Sequence, residues 1–510
     1  MKVAMQMGSL IYCGLALLLF YMMEKLLVLV WWKPTEIQKH FRKQGIYGPL
    51  YRPVLGSLAE LGKIYGQAPS APPPQPPFQS HPCHSFLRYV FPHLPIWREN
   101  YGSVYLYWYG RSPRLSITDP ELIKEMTMNP RRYTQSIQHP VVHLLLGKSI
   151  IAVGGETWAT QRRLLNPFFL METLKGLSGV VLSAIEERIE RWNDLMESNK
   201  LEIEVHKEFE SLAQCIIAKV IFGNDAEESL PIIQLQSQQA ALSSQAVRTF
   251  YIPGSRFLPT SFNRRSKWLR QDAERRFNEL IDRREWREGQ KEEDWLSLML
   301  SLKTMSRQQI IDECCTIAIA GSESTNLLLA WACVLLGVHT EWQDRAREEV
   351  HHVLKGSRPT TEILSQLKTL NMIINETLRL YPPVPFVMKK TEEETKIGNL
   401  IIPAGVDVEV PLIAVHHDRN QWGDDVYRFN PGRFAEGISK ASKHPMAFMP
   451  FMQGPRICLG MNFAMIEAKI VLTMILQKFT LAISPRYKHE PVCGLTMKPG
   501  KGAHVMFHKV

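Results

Sequence analysis

A thiolate can be made and held at one place in this chain. Phe451-Met452-Gln453-Gly454-Pro455-Arg456-Ile457-Cys458-Leu459-Gly460 sets Cys458 in a glycine-bounded loop, just before a helical pattern that begins at Ala464. Backbone amides at a helix start stabilise a thiolate, which is the state that ligates a metal. Gly454 and Gly460 permit tight turns and close approach to a flat macrocyclic ligand. Phe451 can pack against that ligand, and Arg456 offers a cation to a carboxylate on it. The competing reading, a buried cysteine in an ordinary loop, leaves this spacing without a reason.

Two other clusters are ambiguous alone. Ala320-Gly321-Ser322-Glu323-Ser324-Thr325 lies inside a long apolar helical pattern. There Gly321 lowers helix propensity and leaves room, while an acid beside alcohols can relay protons through water. A mid-helix glycine with hydroxyl neighbours is otherwise a packing contact or a kink. Glu376 and Arg379, three residues apart, are by themselves an exposed helix pair contributing about 0.2–0.5 kcal/mol.

The cysteine loop matches F-x-x-G-x-R-x-C-x-G at every fixed position, and through it the chain resembles the cytochrome P-450 family from the N-terminal segment to Val510. The resemblance implies a haem b with Cys458 as axial ligand, and a haem-dependent monooxygenase. Glu376-Thr377-Leu378-Arg379 matches the family's E-x-x-R, with Arg433 in Phe429-Asn430-Pro431-Gly432-Arg433-Phe434 as the third partner of a structural lock. Trp158 and Arg162 match W-x-x-x-R, which faces a haem propionate. Lys389 falls where relatives carry another propionate-binding arginine, and it keeps the charge but loses the bidentate fork. Phe451, Gly454, Arg456 and Gly460 complete the expected cofactor-binding set.

In the oxygen-activating stretch the usual threonine aligns with Ser324. Either its hydroxyl takes that role beside Glu323, or Thr325 rotates to help; serine lacks the methyl that restricts rotamers. Thiolate donation favours O–O cleavage of O2 once two electrons and two protons arrive, and one oxygen atom then enters a C–H bond. No flavin fingerprint is present, so the electrons come from outside. By resemblance the donor is an NADPH-dependent cytochrome reductase whose acidic surface docks on basic residues near the cysteine.

These residues need a scaffold. Helical patterns run over Val180 to Glu197, Trp268 to Arg287, Arg307 to Val338, Glu341 to Val353, Thr361 to Leu380 and Ala464 to Phe479. Ser103 to Trp108 and Leu115 to Thr118 read as short strands. The expected class is mainly α with a minor β part, the cytochrome P-450 fold, preceded by an N-terminal transmembrane helix.

Leu10 to Trp32 is almost wholly apolar, and a helix of about 23 residues at about 1.5 Å per residue crosses a bilayer. Glu24 and Lys25 interrupt it, and snorkelling or tilt accommodates them, with Trp31 and Trp32 at the boundary. A cleavable signal peptide is the alternative, but Tyr21-Met22-Met23-Glu24 offers no small-residue cleavage site. Lys33, Lys39, Arg42 and Lys43 follow the segment, which by the positive-inside rule predicts a cytosolic catalytic part, with the endoplasmic reticulum as the expected host membrane. The expected division is 1–32 anchor, 33–80 basic and proline-rich collar, and 81–510 catalytic domain. The run Pro72 to Pro77 favours polyproline geometry and reads as a loop insertion, or else as a ligand for a proline-reading module.

The formal charge of +10 suits an anionic membrane surface or an acidic partner. No zinc-finger or RNA-recognition spacing accompanies it, so no nucleic-acid partner is expected. The 8 cysteines lack the density of a disulfide scaffold, as befits a reducing compartment.

Trp31-Trp32-Lys33-Pro34, Ile252 to Thr260, Val415-His416-His417-Asp418 and Ala441 to Pro445 resemble the plant clan of brassinosteroid-inactivating, cytokinin and terpenoid hydroxylases, the brassinosteroid type most. A hydrophobic steroid or terpenoid substrate follows by analogy. Substrate choice is expected in loops at Gln138 to Ser149 and Gln236 to Thr249. Two alternatives are a haem-thiolate isomerase or dehydratase that needs no external electrons, and a non-catalytic haem-binding membrane protein.

Overall fold

The N-terminal apolar run and the basic residues after it form one rod. In the computed structural model, which describes residues 2–68, 84–137, 139–249, 251–252, 254–286 and 294–510, an α-helix at Lys2–Leu27 passes through a π-helical turn at Val28–Trp32 into a second α-helix at Lys33–Lys43. Pro34 explains the turn: it has no N–H for the carbonyl four residues back. That carbonyl, on Val30, instead accepts the Tyr51 hydroxyl at 2.6 Å, while the Lys33 amide reaches back to the Val28 carbonyl. Tyr12–Lys43 has a mean hydropathy of 2.0 in its most apolar stretch, none of which is buried in the protein. It is therefore a candidate membrane span. Helix continues through residues 33–43 of the expected collar, and the proline run lies outside the described residues.

The second long apolar helix, Arg307–Val338, meets the same length and hydropathy test but is 72 % buried. It is the axis of the catalytic core. The Ser306 side chain caps it by accepting from the Gln309 amide, and its apolar residues from Leu327 to Leu336 are essentially inaccessible. Around it pack helices Val205–Phe222, Lys368–Leu380 and Met461–Lys478. Beside this helical mass stands a five-stranded sheet in the order Val104–Tyr109, Ser112–Ile117, Asp407–Val410, Val387–Thr391, Tyr133–Gln135. Its second and third strands run parallel and the other neighbours antiparallel. A small hairpin, Pro491–Cys493 with Met497–Pro499, lies against the central helix, whose Trp331 indole N–H donates to the Met497 carbonyl at 3.3 Å.

Several expected boundaries move for physical reasons. The helix expected from Val180 begins at Met171 and runs through Gly176 and Gly179, where a Cβ would meet nothing within 4 Å, so neither glycine breaks it. The pattern Thr361 to Leu380 is two helices, Thr361–Leu364 and Lys368–Leu380. The Glu349 carboxylate accepts from the Thr369 and Leu370 amides at 2.8 and 3.1 Å and so starts the second. Gln236 to Thr249 is not a loop: most of it is the C-terminal half of helix Ala226–Val247. Its polar residues Gln236, Gln239 and Ser243 are buried, which blurs the apolar period. Gln138 to Ser149 likewise contains the short helix Pro140–Leu146, with Gln138 outside the described residues. Of the pattern Trp268 to Arg287, helix spans Ser261–Trp286, and Arg287 lies outside the described residues.

Candidate active site

Between the central helix, the Cys458 loop and the sheet lies a cavity of ≈ 2570 Å³. Ordinary ligand pockets are about 300–1,000 Å³, so this one has room for a macrocycle and a second molecule beside it. Cys458 lines it: the residue is accessible from the cavity yet enclosed by protein, and that enclosure pushes its thiol up. The Gly460 and Met461 amides and the Arg162 guanidinium act the other way and favour the thiolate.

The loop closes on itself. Cys458 N–H donates to the Phe451 carbonyl at 2.8 Å and Ile457 N–H to the Gly454 carbonyl at 3.0 Å. Gly454 has φ +76°, and a Cβ there would stand 2.7 Å from the Thr127 carbonyl oxygen, so both conformation and space demand glycine. Gly460 differs from expectation. Its φ is −86° and a Cβ would touch only Phe169, at 3.7 Å, so the turn itself does not require glycine at this position.

Three cations surround the cysteine side of the cavity. Arg162, on helix Gly155–Leu165, donates to the Ile457 carbonyl at 2.8 Å. Trp158, one turn earlier, lies under the Arg456 guanidinium, 4.5 Å from ring centroid to Cζ. Arg456 donates to the Val153 carbonyl at 3.1 Å, while its Nε is buried without a partner. Lys389 stands opposite Gln135 on the paired strand and donates to its Oε1 at 2.9 Å. Burial and then the Arg456 charge hold the Lys389 ammonium down at about 7, burial lowers Arg456 to about 10, and burial also lowers Arg162. Among the described residues no carboxylate pairs with any of the three. Cations in such surroundings call for an anionic ligand. A flat dianion with a metal that takes one sulfur fits them: the residues present suit a haem.

Across the cavity, Glu323, Ser324 and Thr325 lie on its wall, but they are differently engaged. The Glu323 carboxylate pairs with Lys498 Nζ at 2.5 Å and accepts the Thr496 hydroxyl at 2.9 Å, both from the C-terminal hairpin region. The Ser324 hydroxyl donates to its own helix at the Ala320 carbonyl, 2.6 Å away. Thr325 is buried, as is Glu467 of helix Met461–Lys478, whose carboxyl burial pushes up to about 8. The missing side chain of Gly321 admits Ile217, whose Cδ1 would stand 2.9 Å from a Cβ; it serves helix packing as well as the cavity wall. Glu467, Lys498, Thr496 and Gln135 escaped the sequence reading. Only Glu467 left a local signal, as the lone acid in an apolar helix; the others depend on tertiary placement.

Beneath the cavity, Glu376 and Arg379 are fully buried and bidentate at 2.7 and 2.7 Å. Arg433 reaches the same carboxylate at 3.3 Å, and the Asn430 amide donates to it at 2.9 Å. Arg379 also donates to the carbonyls of His416, Val426 and Arg428. The triad thus fastens one helix to the irregular chain that leads to the Cys458 loop.

Residues 80–506 match the family model for cytochrome P-450. The chain is 38 % identical over 508 residues to cytochrome P-450 734A1 of Arabidopsis thaliana, covering 97 % of this chain and 96 % of that one. It is 35 % identical over 523 residues to 7-deoxyloganic acid hydroxylase of Catharanthus roseus, covering 98 % and 99 %.

Proposed function

The chain belongs to the cytochrome P-450 family, and from that premise we propose that it is anchored in the endoplasmic reticulum membrane, faces the cytosol, and hydroxylates a steroid- or terpenoid-like molecule with NADPH electrons delivered by a reductase. Its class, a haem-dependent monooxygenase, comes with the family. The observation that carries the reading is the sulfur of Cys458 opening into a large cavity ringed by Arg162, Lys389 and Arg456.

The bound haem supplies the capacity to activate O2, tuned by thiolate donation. The chain supplies the rest. Arg162, Lys389 and Arg456 would hold the haem's carboxylates, with Trp158 stacked on Arg456 and Gln135 steadying Lys389. Phe451 and Gly454 shape the loop, and its amides bias Cys458 to thiolate. The Glu376–Arg379–Arg433 lock keeps that loop in register with the core. Glu323, Ser324 and Thr325 line the cavity wall opposite the Cys458 loop, where they would handle protons. The cavity's apolar lining, including Val142, Ile317 and Leu328, excludes water and suits a hydrophobic substrate. Support for the substrate class comes from the relative named as a 7-deoxyloganic acid hydroxylase and from the scaffold stretches that resemble steroid and terpenoid oxidases.

Membranes containing the protein and a plant reductase, given NADPH and separate brassinosteroid, triterpenoid and diterpenoid panels, test it by mass spectrometry. A product heavier by one oxygen and dependent on NADPH is expected. Turnover without NADPH would indicate an isomerase or dehydratase, and turnover confined to polar, amino-acid-derived compounds would overturn the substrate class.

A further inference from the structure

Gly494, Leu495 and Thr496 form the turn of the small hairpin Pro491–Cys493 with Met497–Pro499, and all three line the cavity, as Glu323 does. The hairpin pairs only three residues a side, and so short a ladder does not hold a turn in one place by itself. Its stalk is fastened at Met497, which is fully buried. The Met497 carbonyl accepts the Trp331 indole N–H at 3.3 Å, and its amide donates to the Pro383 carbonyl at 3.0 Å. The turn is fastened from two other elements. The Leu495 amide donates to the Ser244 hydroxyl of helix Ala226–Val247 at 3.2 Å, and a Cβ at Gly494 would stand 2.8 Å from the Ser244 Cβ, so the two surfaces touch. Thr496 and Lys498 both close on one atom of the central helix, Glu323 Oε1, at 2.9 and 2.5 Å. The side chains of that ion pair are 15 % and 32 % exposed for Glu323 and Lys498, where salt screens it less than at an open surface.

We propose that Lys498 and Thr496 are positioning residues for substrate: their grip on Glu323 holds the hairpin turn as a preset wall of the cavity, and so sets the affinity for long hydrophobic molecules. The proposal rests on the reading of Cys458 as a haem ligand. With the grip intact, the wall is in place before a molecule arrives. Without it, the turn leaves its place for part of the time and binding must first restore it, which weakens the apparent affinity in proportion to the fraction in place. A molecule too small to reach the turn is indifferent to the change.

The full chain, haem-loaded in detergent, is titrated with imidazole and with 1-dodecylimidazole, whose ring nitrogen ligates iron and shifts the Soret band. Wild type is compared with Lys498→Met, Thr496→Val, Glu323→Lys and the charge exchange that joins Glu323→Lys to Lys498→Glu. Equilibrium binding involves no turnover, so any part Glu323 takes in moving protons does not enter the measurement. The red-shifted Soret band of the reduced carbon-monoxide complex shows which samples retain the thiolate, and its absence from the wild type defeats the haem-ligand reading itself. In samples that keep the band, Lys498→Met should weaken 1-dodecylimidazole about tenfold and Thr496→Val about threefold, the effects of one charge-assisted and one neutral bond, with imidazole changed less than about twofold. Glu323→Lys should weaken the long probe at least as much as Lys498→Met, and the charge exchange should recover most of the loss. Should the exchanged chain lose the thiolate band, the Lys498→Met and Thr496→Val titrations decide. Equal weakening of both probes in Lys498→Met, or a long probe that binds it as tightly as wild type, overturns the proposal.

Discussion

Replacing Arg379 by methionine tests whether the buried triad holds the cysteine loop in place. The substitution keeps an apolar stem but removes a guanidinium that makes two 2.7 Å bonds to a carboxylate, both partners being wholly inaccessible. Breaking a buried ion pair by deleting one partner costs about 3–5 kcal/mol. Three carbonyls, on His416, Val426 and Arg428, lose their donor as well, at about 1 kcal/mol or more apiece. Arg433 and the Asn430 amide still serve Glu376, which keeps the first cost near its lower end. The expected total, about 6 kcal/mol, rivals the whole stability of an ordinary domain at about 5–15 kcal/mol. Arg379→Lys keeps the charge but only part of the fork and falls between. Thermal loss of the thiolate Soret band in detergent-solubilised protein measures the order wild type, Lys, Met. The expected fall for methionine exceeds about 10 °C. A methionine variant that melts within a couple of degrees of wild type would refute the assignment of this energy to the triad.

Lys389→Met should speed haem transfer to an apoglobin acceptor by about tenfold, the effect of one charge-assisted bond, whereas Lys389→Arg should slow it below wild type; equal rates in all three would remove Lys389 from the cradle. Gly454→Ala has to adopt φ near +76° with its methyl 2.7 Å from the Thr127 carbonyl, and should cost about 2–3 kcal/mol in thermal unfolding and broaden the thiolate band. Glu313 is held up at about 7 by burial, against an unfolded value of 4.5, so its contribution favours the fold below about 4.5 and is lost as pH rises through about 7. Glu313→Gln should therefore gain on the wild type by up to about 3 kcal/mol above neutrality and not at pH 4, as followed by urea unfolding; identical pH profiles would contradict it.

The chemistry-bearing residues were readable to different depths. The Cys458 loop and the Glu376, Arg379 and Arg433 set are short motifs whose spacing is dictated by a turn or a helix, and the structure brings them together. The central helix was legible to its ends, because its length and long apolar pattern stand out from Arg307 to Val338. Helix Ala226–Val247 was not, since glutamines on its buried face mimic a polar loop. Glu323 and Ser324 were readable as an acid and an alcohol, but not as occupied ones. Lys498 and Thr496, which hold the acid, come from the far end of the chain, and no local pattern announces that meeting.

Because the Tyr51 hydroxyl locks the Val30 carbonyl, the N-terminal rod joins the catalytic body with a defined rotational phase. Inserting one residue between Trp32 and Lys33 would spin everything upstream by about 100°, and seven would nearly restore its bearing. An anchor borrowed from another protein must match not only in length and greasiness but in azimuth.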